Sequence, residues 1–125
     1  MPLAEHEIMI VEDDDDIREL LAEMLGDQGY GVLTARNGRH GLDLLQGKRP
    51  PPCVVLLDLM MPVMDGWEMR AEMLAVPELA SIPVVVVSGA ADVQDQSDAL
   101  CATRVLTKPV KWPDLLASVK SICGT

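Results

Sequence analysis

The sequence predicts an α/β fold, a doubly wound five-stranded parallel sheet with five helices, and three observations carry that expectation. Apolar runs too short for helices alternate along the whole chain with stretches of helical period. The 125 residues suit one compact domain, so a single domain over residues 1–125 with no output domain is expected. Apolar residues make up 49% of the chain, and a chain this long buries roughly two thirds of its unfolded surface, enough for a core without metal or disulfide staples.

The first strand is expected at Ile8–Val11. Behind it, Ile17, Leu20, Leu21, Met24 and Leu25 recur at the spacing of one helical face, with Asp14 or Asp15 as N-cap and Gly26 or Gly29 as the stop. Val32–Ala35 forms the second strand, and a helix from Gly38 to Gln46 turns Leu42 and Leu45 inward before the Pro50-Pro51-Pro52 run. The third strand is Val54–Leu57. The helix from Gly66 to Ala75 buries Met69 and Met73. Val84–Val87 is the fourth strand, followed by a helix near Asp92–Cys101 with few apolar residues, and the fifth strand lies around Val105–Leu106. In the last helix Pro113 suits the first turn, and Trp112, Leu115, Leu116, Val119 and Ile122 make the stripe.

Composition narrows the function. A net charge of −10 repels phosphate backbones and anionic membranes, and aromatics at 2% leave no stacking platform, so neither nucleic acid nor membrane is an expected partner. No apolar run approaches a membrane span, and the acidic start lacks the basic region of a signal peptide, so a cytoplasmic protein is expected. Cys53, Cys101 and Cys123 are odd in number, widely spaced and without zinc-type spacing, which points to reduced thiols packed as small hydrophobes.

In open parallel sheets ligands sit beyond the carboxyl ends of the strands. Here those ends carry Glu12-Asp13, Asp58, Ser88 and Lys108-Pro109. The five acids of Glu12–Asp16 repel one another unless a cation intervenes, and Mg²⁺, which prefers hard oxygen ligands, suits Glu12, Asp13 and Asp58. Asp14, Asp15 and Asp16 read rather as a solvated helix start favoured by the macrodipole, whereas Glu12 and Asp13, taken alone, fit either reading. Asp58 closes an apolar strand, where an acid is costly unless used or paired; a lone Asp there is also a common turn former.

The string Leu57-Asp58-Leu59-Met60-Met61-Pro62-Val63-Met64-Asp65-Gly66 resembles the receiver domain of two-component response regulators. The resemblance covers essentially the whole chain, with Ile-Met-Ile-Val-Glu-Asp-Asp from Ile8, Val-Val-Val-Val-Ser-Gly-Ala from Val84 and Leu-Thr-Lys-Pro from Leu106 in order. It implies a flavodoxin-like (βα)5 fold with strand order 2-1-3-4-5. It further implies Asp58 as phospho-acceptor, and Mg²⁺, with Mn²⁺ as a substitute, held by Glu12, Asp13, Asp58 and the backbone carbonyl of Met60. Ser88 would hydrogen-bond the phosphoryl oxygens, and Lys108 would pair with them ahead of a cis bond to Pro109. The implied partners are a sensor histidine kinase or phosphotransfer protein upstream and a protein target downstream.

The resemblance has gaps. Val105 stands where the family's switch aromatic belongs, Cys101 replaces a usual glycine, Val110 replaces a frequent aromatic, and the interval from Ser88 to Lys108 is short for the family. The expected function is a receiver that catalyses phosphotransfer only to its own Asp58 and signals by docking. The alternative is a degenerate receiver acting as an interaction scaffold or phosphate sink. An independent Mg²⁺-dependent phosphohydrolase would be expected to carry a second acid two residues after its nucleophile, where this chain has Met60, and the chain has no Gly-Lys-Ser/Thr phosphate loop.

Overall fold

The computed structural model describes residues 6–47, 50–89 and 100–124. Five parallel strands, β1 (Glu7–Val11), β2 (Gly31–Ala35), β3 (Val54–Asp58), β4 (Val84–Ser88) and β5 (Arg104–Thr107), lie in the order β2-β1-β3-β4-β5. The described helices are α1 (Asp15–Asp27), α2 (Gly38–Gln46), α3 (Gly66–Leu74), the single turn α4 (Pro77–Ala80) and α5 (Trp112–Cys123). The strands fall within a residue of their expected limits. α4 is absent from the sequence expectation because one turn is too short to show a period; Pro77 starts it. The helix expected at Asp92–Cys101 lies outside the described residues except for Leu100 and Cys101.

Side-chain alternation along the strands divides the core into two layers. Met9, Val11, Val55, Leu57, Val84 and Val86 meet Leu42 and Leu45 of α2 and Met69 and Met73 of α3. Ile8, Ile10, Val54, Leu56 and Val85 face the other way, toward Leu25 of α1 and Leu115 and Val119 of α5. β3, at the centre of the sheet, is buried at all five positions, Asp58 included.

Helix ends follow local chemistry. Asp14 caps α1 by accepting from the Ile17 N–H at 3.0 Å. Of the two candidate stops, Gly29 takes the left-handed conformation at φ 98°, and the Tyr30 N–H returns to the Leu25 carbonyl at 3.3 Å, while Gly26 stays inside the helix. Asp65 and Glu68 close a reciprocal capping box at the start of α3. The stripe on α1 is only partly used: Leu25 is buried, but Ile17 and Leu20 are 43% and 56% exposed.

The expectation of three reduced, packed cysteines is corrected. Cys53 and Cys123 form a disulfide across 70 residues of sequence, their Cα atoms 5.6 Å apart. Cys53 stands at the foot of β3 and Cys123 at the last turn of α5, so the fold brings together two thiols that linear spacing keeps apart. Cys101 is outside this bridge and exposed, not packed. It holds a left-handed φ of 49°, a conformation that favours glycine. Buried Arg70 of α3 donates to the Leu100 and Cys101 carbonyls at 2.7 and 3.1 Å and so ties this strained corner to the helix beside it.

Candidate functional site

Parallel register assembles the site. Val11 pairs with Leu57, so Glu12 emerges next to Asp58; Asp58 pairs with Val87, so Ser88 stands one residue further along β4. Ser88 pairs with Thr107, and the Lys108 N–H donates to the Ser88 carbonyl at 2.8 Å, which brings Lys108 over the same edge. The peptide bond from Lys108 to Pro109 is cis. Under Asp58 the chain turns tightly into α3: a Cβ on Gly66 would lie 2.6 Å from the Asp58 carbonyl oxygen, so only glycine fits without a shift.

Ligand oxygens of Glu12, Asp13 and Asp58 all lie within 4.8 Å of one another. Glu12 and Asp58 are 5% and 4% exposed, whereas Asp13 is exposed to solvent. Lys108 Nζ donates to Asp58 Oδ1 at 3.2 Å and sits 3.9 Å from Glu12 Oε1. Lys108 thus pairs with the two buried carboxylates, and Asp13 adds a third negative charge from the solvent side. Burial, reinforced by the charge of Asp58 and opposed by the Asp14 backbone N–H and by Lys108, pushes the Glu12 carboxyl up to about 7. A hard divalent cation fits this donor set, since it would compensate the excess negative charge with oxygen ligands.

Ser88 is 1% exposed, and its Oγ has no hydrogen-bond partner among the described residues. A buried hydroxyl without a partner is costly, and an incoming oxygen at the strand end would satisfy it. Met60, two residues past Asp58, is exposed in the loop that leads to α3. Glu12, Asp13, Asp58 and Lys108 thus come together as expected, with Ser88 on the adjoining strand end.

Two parts of the site lay beyond sequence reasoning. Arg18 donates to the Glu12 carbonyl at 2.9 Å and pairs with Asp15, bracing the acidic turn from one helical turn away. A cavity of about 560 Å³ between α1 and α5 is lined by Ile10, Ile17, Leu20, Leu56, Val110 and Leu115 and reaches Glu12, Asp58 and Lys108 at one end. Its only sequence signal was a stripe on α1 longer than one buried residue needs.

Comparison with known proteins places this geometry in company. Residues 8–120 match the model of the response regulator receiver domain. The chain is 34% identical over 113 residues to sporulation initiation phosphotransferase F of Bacillus subtilis, covering 90% of each. It resembles the receiver domain of a signal transduction histidine kinase from Syntrophus aciditrophicus at a TM-score of 0.86 and 33% identity, over 94% of this chain and 89% of that one. It also resembles TrrA of Thermotoga maritima, solved in complex with Mg²⁺ and BeF, at a TM-score of 0.81 and 26% identity, over 93% of this chain and 97% of that one. Other curated relatives, named as response or transcriptional regulators, are about twice as long, this chain spanning 49% of their length.

Proposed function

The chain belongs to the response regulator receiver domain family, signalling domains of two-component systems, and from that premise we propose that it is a phospho-acceptor that takes a phosphoryl group on Asp58 from a histidine kinase or phosphotransfer protein. The observation that carries this is the meeting of Asp58, at the mouth of the central strand, with Glu12, Asp13 and Lys108. Glu12, Asp13, Asp58 and the Met60 carbonyl would hold Mg²⁺, or Mn²⁺ in its place. The ion, when bound, neutralises charge on the acceptor and on the transferred group.

An Asp58 carboxylate oxygen attacks phosphorus, the bond from phosphorus to the donor's imidazole nitrogen breaks, and its electron pair stays on the imidazole. Lys108, already on Asp58, orients the carboxylate and then faces the phosphoryl oxygens, limiting the repulsion between two anions. The Ser88 hydroxyl gives a phosphoryl oxygen the hydrogen bond it lacks a partner for. The apolar groove between α1 and α5 leads to Asp58 and supports docking of the donor there.

The complete set of acids and Lys108 favours a working acceptor over a degenerate scaffold. We place the protein in the cytoplasm, where the receiver would signal to a protein target. No helix among the described residues is long and apolar enough to cross a membrane. Incubation with acetyl phosphate and Mg²⁺ should add one phosphoryl group by intact mass, and hydroxylamine should remove it, as an acyl phosphate requires. An adduct stable to hydroxylamine would contradict the proposal.

A further inference from the structure

At the foot of the sheet, away from the carboxylates, the bridge between Cys53 and Cys123 joins the strand that carries Asp58 to the last turn of α5. Its two ends are held differently. Cys53 is fixed to the sheet through its backbone N–H, which donates to the Glu7 carbonyl at 2.8 Å. Cys123 belongs to α5, which is secured through Leu115 and Val119 in one cluster with Leu25 of α1, while a cavity opens beside Leu115 toward its start. The bond thus tethers the last turn of α5 to the foot of β3 in addition to that packing.

We propose that Cys53 and Cys123 are a reversible redox site whose oxidation locks the C-terminal half of α5 onto β3. Cys53 is half-buried while Cys123 is 8% exposed, so the Cys53 thiolate is the one a soluble disulfide reaches first. It attacks oxidised glutathione, forming a mixed disulfide and expelling one glutathione thiolate. The Cys123 thiolate then attacks the Cys53 sulfur and expels the second. The cysteine pair loses two electrons and two protons overall, and one glutathione disulfide becomes two thiols. A dithiol reductant runs the sequence backwards. Where a glutathione pool keeps thiols reduced, such a pair is closed only under oxidative conditions, which makes it a sensor rather than a permanent staple.

The test uses the whole chain, equilibrated with oxidised glutathione or with a dithiol reductant. Peptide mapping after denaturation should find Cys53 and Cys123 joined in the oxidised form, Cys101 being free or capped by glutathione, and three free thiols in the reduced form. Oxidation should raise the melting temperature and slow amide exchange in residues 115–123, leaving α2 and α3 unchanged, and Cys53→Ser should abolish both responses. Cys53 and Cys123 left unbridged after oxidation, equal exchange of α5 in the two forms, or a redox response that survives in Cys53→Ser would overturn the proposal. The last outcome would assign the response to a remaining thiol, Cys101 or Cys123, and not to the bridge.

Discussion

The two faces of the sheet are packed to different ends. On the α2 and α3 face, Leu42, Met69 and Met73 are fully buried, and Gly38 and Gly41 let α2 close on Met64 and Met69 at distances that a Cβ would violate. The α1 and α5 face buries Leu25 and the inner side of α5, with Leu21 and Ala22 partly buried against them. It leaves Ile17 and Leu20 open beside a cavity of about 560 Å³ that leads to Asp58. A face packed to completion supports the site, and a face left open gives another molecule a way to it.

Truncation should expose that contrast most strongly. Met69→Ala and Leu42→Ala should each cost about 2–5 kcal/mol, the range for buried large-to-small changes. Leu20→Ser should stay within about 0.5 kcal/mol, as for an exposed position. Urea unfolding midpoints at constant slope measure both. Equal losses on the two faces would break the comparison.

The edge between the faces carries a pH signature. The Glu12 carboxyl lies near 7 in the folded protein and 4.5 otherwise, so between those values the folded state binds more protons than the unfolded one. Stability of the metal-free protein should therefore fall as pH rises through that window, by up to about 3 kcal/mol. Glu12→Gln should flatten the slope, and saturating Mg²⁺ should shrink it, because a bound ion favours the ionised carboxylate. Chemical denaturation at intervals from pH 4.5 to 7 reads this directly. A slope that Glu12→Gln leaves unaltered would remove Glu12 as its origin.

The smallest effect concerns α1. A Cβ on Gly26 would meet nothing within 4 Å and the residue is helical, so Gly26→Ala should stabilise by about 0.5 kcal/mol through helix propensity alone. A loss of stability would mean that α1 packs against more than its one buried residue suggests.

Most of the sheet and the chemical edge were legible in the sequence. β3 and β4 are continuous apolar runs, and a residue directly after such a run must stand at a strand end, which is how Asp58 and Ser88 could be placed. Periodicity also located Leu42, Leu45, Met69 and Met73 in the core. It could not tell which part of the α1 stripe faces protein and which faces a cavity, because period reports a shared face and not what lies opposite it. The Cys53–Cys123 bridge was missed for a related reason: the foot of β3 and the end of α5 are distant in sequence, and only the folded register sets them 5.6 Å apart. Arg70, a lone charge on the inner side of α3, gave no pattern at all; its partners are backbone carbonyls thirty residues on.

The claim that Asp58 is the acceptor to which this edge is built is tested most directly by intact mass after incubation with acetyl phosphate and Mg²⁺, the natural chain beside Asp58→Asn. One added phosphoryl group is expected on the natural chain and none on Asp58→Asn. Labelling of Asp58→Asn to the same extent would contradict it.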